Sequence, residues 1–438
     1  MKNAAPASEG GPIIVTWRKI IVCALITIVG FNLRSVILAV PPVLPLIQHD
    51  LALSYTATGF LTALPVLVLA VGAWPSGLLA ERIGARPCVS IGLVLLGAGT
   101  ILRAVHTTVI SLFIFTLLLS LGIPLTQTAV PSLVRRWFPK QIGFVAALFS
   151  DGLIVGEAVA AGVTVPFMLR FLGNDAWAST FIFWGVPIVL LLAFWLWLAP
   201  PANTRTFTRP TSPQSDTTPL TLQASATPIQ RKRLNALHLG ILVGSGSLVY
   251  FGMNGWIAPY NQAMHQASFT PLALAILNAA QLPVSLGVTF IAQRLAGRRW
   301  PFIAAGIICA AAIMGWIFTP TVLEPLWAAL LGGSSALVFT LGIALPPLLA
   351  GPKEVARLTG ITLSLTYGVA FVGPFVGGEL WDLFHLPAMA FVPVVFASAI
   401  LILLGSLLPS RTSFGIIAEP IYTGEKKPGT FTARPPTT

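Results

Sequence analysis

Apolar residues along this chain run together instead of alternating with polar ones. Twelve stretches approach or exceed the roughly 20 residues that an α-helix needs to cross a bilayer. They lie at 18–40, 57–79, 87–105, 108–131, 141–166, 177–199, 238–260, 272–292, 301–319, 324–349, 358–382 and 388–409. They are too long and too uniformly apolar for the alternating strands of a membrane barrel. Backbone in lipid must satisfy its own hydrogen bonds, so the pattern predicts an all-α membrane protein with twelve transmembrane helices, here segments 1 to 12. Prolines inside them, such as Pro65, Pro124 and Pro283, are compatible with this because neighbouring helices re-satisfy the freed backbone.

The longest polar break follows segment 6. It opens with Pro200-Pro201, is rich in Thr, Ser and Pro, and closes with Gln230-Arg231-Lys232-Arg233. That composition reads as a disordered cytoplasmic linker whose basic end suits anionic headgroups. The predicted organisation is therefore an N-terminal six-helix half over 1–200 and a linker over 201–237. A C-terminal six-helix half follows over 238–409, then a loose cytoplasmic tail over 410–438. The halves echo each other. Arg82 and Arg294 are 212 residues apart, as are Arg86 and Arg298, and Pro139-Lys140 precedes Pro352-Lys353 by 213. Concordant offsets favour duplication, which in transporters places a binding site near the midplane between the repeats.

Composition narrows the function. Of 438 residues, 55% are hydrophobic and 9% charged, against about 25% charged in soluble domains, which excludes a soluble enzyme. The net charge of +12 does not imply nucleic acid, because no basic stripe interleaved with aromatics is present. The basic residues sit in the breaks. With both termini in the cytoplasm, 22 of the 25 fall on that side, only Arg103 and Arg170 lie opposite, and Arg34 falls inside segment 1. That asymmetry sets the orientation. Segment 1 lacks a small-residue cleavage site and reads as a span, not a signal. Cys23, Cys88 and Cys309 lie in apolar segments with no disulfide or zinc spacing, and the five histidines lie at segment ends or in loops. No nucleophile elbow, phosphate loop or Walker motif is visible. Enzyme activity, a cofactor, a bound metal and ATP drive within this chain are therefore not expected.

The buried charges remain. Arg34 lies 16 residues after Arg18, roughly 24 Å along a helix axis, and so inside the outer half of the membrane. Thr27, Gly30 and Arg34 share one helical face. A guanidinium there needs a carboxylate, a watery cavity or an anionic solute. Its planar fork suits a carboxylate or a similarly flat anionic group. Either it clamps such a solute or it forms a permanent ion pair between helices. Asn32 lies about 160° around the helix from Arg34, so only one of the two points straight into a cavity. Asp151 and Glu157 are the charges within segment 5. Glu157 matches the depth of Arg34 and is the expected partner or proton site; Asp151 is a second candidate. Gly152, Gly156 and Ala160, four residues apart, predict close helix packing. Polar faces also mark segment 4 (Ser120, Gln127) and segment 7 (Ser247, Tyr250, Asn254, Asn261), and Trp256 offers a stacking wall or an anchor. The candidate solute-binding set is Arg34, Asn32, Gln127, Tyr250, Asn254 and Trp256. Thr340, Asn278 and Gln281 are lesser candidates.

The break after segment 2, Gly77-Leu78-Leu79-Ala80-Glu81-Arg82-Ile83-Gly84-Ala85-Arg86, resembles the loop signature of the major facilitator superfamily, with Glu81 where Asp is usual. That resemblance implies two six-helix pseudo-repeat halves and a gating loop of Gly77, Glu81, Arg82, Gly84 and Arg86, making charge contacts between the halves. Asn32-Leu33-Arg34, Pro42, Leu44-Pro45 and Asp50-Leu51 in and after segment 1 resemble the cyanate/nitroimidazole porter family. So do Leu61-Thr62-Ala63-Leu64-Pro65-Val66, Arg103, Arg136-Trp137-Phe138-Pro139, and Trp256 with Pro259. Ser35 stands where many members carry Pro. The resemblance implies a monomeric secondary transporter of the bacterial inner membrane. It would move a small polar or anionic solute by alternating access, with the proton as candidate coupling ion. The competing class is a membrane receptor or scaffold that binds a small ligand without moving it.

Overall fold

The computed structural model describes residues 12–105, 107–139, 141–171, 177–200, 236–295, 298–349 and 355–408. Of the predicted linker only Ala236 and Leu237 fall among them, and the predicted tail 410–438 lies outside the described residues. The described residues are helical and contain twelve spans long and apolar enough to cross a membrane, with no strand. Fourteen α-helices build them. They are α1 (Pro12–Leu38), α2 (Leu44–Asp50), α3 (Tyr55–Ile83), α4 (Ala85–Val105), α5 (Val109–Trp137), α6 (Ile142–Phe171) and α7 (Trp177–Leu198). The second half has α8 (Ala236–Ala263), α9 (Thr270–Ala279), α10 (Gln281–Leu295), α11 (Trp300–Phe318), α12 (Glu324–Leu349), α13 (Val355–Phe384) and α14 (Val392–Leu407).

Twelve spans become fourteen helices for local reasons. A proline ring clashes with the carbonyl four residues earlier and supplies no N–H to it. Pro42 meets Leu38, the last residue of α1, and the chain turns through Pro41–Val43 into α2. Pro283 likewise meets Ala279, the last residue of α9, so segment 8, which reads as one helix over 272–292, is broken near the middle of the span. Pro65, Pro124 and Pro259 remain inside continuous helices.

Large apolar side chains cover the outside, among them Trp74, Trp197 and Phe396 at 73%, 80% and 65% exposure. In water such a surface would aggregate; against lipid tails it is solvated. Intramembrane hydroxyls are satisfied locally. Thr100, Ser120 and Thr126 each donate to the carbonyl four residues back, at 2.6, 2.5 and 2.9 Å.

The packing repeats in the two halves. In the first, α1 packs on α6, and α4 on α5 and α7; in the second, α8 packs on α13, and α11 on α12 and α14. The halves meet chiefly through α3 with α13 and α6 with α9. Those contacts lie at one end of the bundle. Gly59 sits against the Pro374 carbonyl and Gly378 against that of Tyr55, so the first turns of α3 touch the last turns of α13. The opposite end carries the α3–α4 junction with Arg82 and Arg86, and the end of α5 with Arg135 and Arg136. Toward this arginine-rich end the halves part, and α10 makes far less contact with α6 than α9 does.

Candidate functional site

The site begins with two glycines. A Cβ on Gly152 would strike the Thr27 carbonyl and one on Gly156 that of Phe31, so α1 and α6 lie backbone to backbone. Glu157, one residue past Gly156, and Arg34, three residues past Phe31, are thereby carried toward each other. Arg34 Nε lies 3.4 Å from Glu157 Oε1, with the residues 7% and 5% exposed. In low dielectric such a pair is strong but expensive to assemble, because both ions leave water. Nη1 and Nε of Arg34 are buried and make no hydrogen bond. Phe251 of α8 places its ring 5.9 Å from the guanidinium carbon.

These groups line a cavity of about 310 Å³ between the halves. The first half contributes Arg34, Ser150, Leu153, Ile154 and Glu157. The second contributes Ser247, Tyr250 and Phe251 from α8, Gln281 and Ser285 from α10, Ser335, Phe339 and Thr340 from α12, and Tyr367 from α13. One cation, one carboxylate, several hydroxyls and aromatic walls suit a small solute with polar edges and a flat face.

A second layer ties the halves through this pair. Gln281, at the start of α10 beside the break, donates Nε2–H to Glu157 Oε2 at 3.1 Å. Tyr250 donates its hydroxyl to Asn278 Oδ1, and Asn278 donates to Asn254 Oδ1 at 2.9 Å. Arg34, Glu157 and Gln281 thus form a polar chain from one half to the other at the level where they part.

The sequence-derived candidates separate clearly. Arg34, Glu157 and Tyr250 line the cavity; Asn254 stands behind Tyr250, donating to its carbonyl at 3.0 Å. Asn32 turns away, 1% exposed, and donates to the Ile28 carbonyl of its own helix at 2.9 Å. Gln127 is not part of the lining; its Oε1 is buried without a hydrogen bond. Trp256 is fully buried, packed on Trp381 with ring centroids 5.6 Å apart. It is a wall of the closed end and does not reach the cavity. Asp151, partly exposed, is one residue past the lining Ser150.

In the loop, Gly84 bridges α3 and α4 at φ 94°, a conformation costly for residues bearing a Cβ. Glu81 and Arg82 are exposed, and Gly77 faces open space. Arg86 donates to the Leu196 carbonyl at 2.9 Å, inside its own half. This contact differs from the cross-half role that the loop resemblance implies. The reason is geometric, since the loop lies at the end where the halves have separated.

Other buried polar groups fall outside the candidate site set read from the sequence. Glu324, 2% exposed, accepts from Asn261 Nδ2 at 2.8 Å. Arg103, 1% exposed, stacks its guanidinium 4.1 Å from the Phe181 ring centre. Ser285, Ser335 and Tyr367 line the cavity but look in sequence like ordinary small or amphipathic membrane residues.

The chain is similar to several known transporters. The cyanate transport protein CynX of Escherichia coli (strain K12) is 26% identical over 363 residues, covering 81% of this chain and 88% of that protein. The 2-nitroimidazole transporter of the same organism is 26% identical, covering 83% and 89%. The uncharacterized transporter YycB of Bacillus subtilis (strain 168) is 27% identical, covering 87% and 90%. Among solved structures, a D-xylose-proton symporter superposes with a TM-score of 0.71 at 13% identity, covering 91% of this chain and 99% of that one. An inward-facing, unoccupied bacterial homologue of the lysosomal transporter Spinster superposes at 0.67 and 15% identity, covering 91% and 98%. The sequence model of the Major Facilitator Superfamily matches residues 20–374, and with twelve spans packed as two like halves around a cavity, this chain belongs to that superfamily of multi-pass membrane transporters.

Proposed function

We propose that the chain is a proton-coupled secondary transporter for a small, flat, polar or anionic solute of the cyanate or nitroimidazole kind, working by alternating access. The observation that carries this is the Arg34–Glu157 pair on the cavity wall, with Nη1 of Arg34 buried and without a hydrogen-bond partner among the described residues. An anion entering the cavity competes with Glu157 for Arg34. A carboxylate displaced from its cation in low dielectric favours the protonated form, so solute and proton arrive together. Gln281 links that exchange to the second half. The 26% identity to a cyanate and a 2-nitroimidazole transporter supports the solute class.

The charge asymmetry of the breaks supports cytoplasmic termini in a bacterial inner membrane. The arginine-rich, open end then faces the cytoplasm and the closed end faces outward, an inward-facing state. A monomer suffices, because both halves and the whole cavity lie in one chain.

Two measurements test the reading. In a thermal-shift screen of the purified protein against cyanate, 2-nitroimidazole and small carboxylates, a true solute raises Tm with concentration by mass action. Glu157→Gln keeps an amide at the carboxylate's place but cannot exchange a proton. In proteoliposomes this variant is expected to retain solute exchange and lose accumulation driven by an imposed pH gradient. Gradient-driven accumulation at the parent level would remove Glu157 from coupling.

A further inference from the structure

At the closed end, Asp382 reaches across from the second half to the start of a helix in the first. Its carboxylate accepts from the backbone N–H groups of Tyr55 and Thr56 at 3.0 and 2.7 Å, and from the Thr56 hydroxyl at 2.6 Å. Tyr55 and Thr56 are the first two residues of α3. Opening N–H groups of a helix have no partner within it, and the helix field there favours negative charge. The first half caps the next donors itself. Ser54 takes the N–H of Ala57 on its hydroxyl at 3.1 Å and that of Thr58 on its carbonyl at 3.0 Å. The two earlier donors are met from the opposite half.

The surroundings fit the same purpose. Trp381, next to Asp382, stacks on the Tyr55 ring with centroids 4.0 Å apart and planes 9° apart. Gly378 and Gly59 let the two backbones approach where any Cβ would collide. A contact that served only to fold one half would draw its partners from that half; these all cross between halves.

We infer that Asp382 is the latch of the outer gate, a positioning residue whose charge-assisted bonds to the first turn of α3 hold the halves together on the outer side. The inference rests on the alternating-access reading, because a gate on this side must release once in each cycle. Release exchanges the three bonds for water without disturbing the core of either half, so the cost falls on the conformational equilibrium and not on folding. Weakening the latch therefore shifts the protein toward its outward-open state.

The test uses the full chain in intact cells, with Cys23, Cys88 and Cys309 replaced by alanine and one reporter, Thr62→Cys. Thr62 lies two turns into α3 and faces Gly255 of the other half, behind the latch. A thiol reagent that cannot cross membranes reaches it from outside only when the outer end opens. Asp382→Asn is expected to raise the labelling rate about tenfold, the scale of losing bonds to a charged acceptor. Thr56→Val, which removes one donor and keeps the charge, raises it less; Asp382→Glu restores part of the closure. Labelling at the parent rate in both Asp382→Asn and Thr56→Val overturns the latch, and Thr56→Val decides alone if the Asp382 variants fail to accumulate. Labelling needs no solute, so the two readings separate. Raised labelling without cyanate or 2-nitroimidazole flux in proteoliposomes keeps the latch and removes the transport proposal. Parent-rate labelling with normal flux does the reverse.

Discussion

Arg34→Ala is expected to reduce solute flux by at least about thirtyfold, in line with the 2–5 kcal/mol typical of truncating one partner of a buried charge pair at a recognition site. The variant should also melt lower than the parent. Its loss leaves Glu157 buried without its cation, at a cost of about 3–5 kcal/mol. The two effects separate in a second variant. Arg34→Ala combined with Glu157→Gln removes both charges together, so the melting temperature recovers while flux does not. Arg34→Lys keeps the charge but gives up the planar fork, and it should bind a flat anion poorly while remaining well folded. Uptake into proteoliposomes and thermal melts of the same preparations measure both quantities. Parent-level flux in the doubly neutral variant would show that the pair is a structural strut and that the solute binds elsewhere in the cavity.

The fold was readable because lipid leaves a chain few choices. Twenty apolar residues in a row have only the helix as a way to satisfy their backbone, so the number of spans follows from composition. Arg34 and Glu157 were readable for a related reason, since a charge inside an apolar stretch demands a partner and the two lie at matching depth. What sequence could not supply was direction between helices. Asn32 and Trp256 have the chemistry of a site, yet one bonds to its own helix and the other fills the closed end. Periodicity tells which residues share a face but not what that face meets. The break in segment 8 was hidden in the same way. Pro283 looks no different in sequence from Pro124 or Pro259, yet α9 ends four residues before it while α5 and α8 run through theirs. Asp382 is the hardest case. A carboxylate near the end of an apolar segment gives no sign of its partner until the other half is seen to place a helix start beside it.

The glycine seam yields a sharper test, because two glycines of one helix should behave in opposite ways. Gly156 lies against the backbone of Phe31, and the main chain of a packed helix cannot move aside as a side chain can. Gly156→Val forces α1 and α6 apart. Overpacking of this kind costs typically 1–3 kcal/mol, and the shift is delivered one residue from Glu157 and three from Arg34. Flux should therefore fall by more than the melting temperature suggests, since a pair already at 3.4 Å has no slack to absorb an added separation. Gly143, thirteen residues earlier on α6, has nothing within 4 Å of where a Cβ would stand. Gly143→Ala meets no obstacle and gains helix propensity of up to about 1 kcal/mol, so it should melt at or above the parent temperature with flux unchanged. If Gly156→Val transported as well as Gly143→Ala, close approach of α1 and α6 would not be what sets the Arg34–Glu157 distance. The pair would then have to be held from the other half, through Gln281.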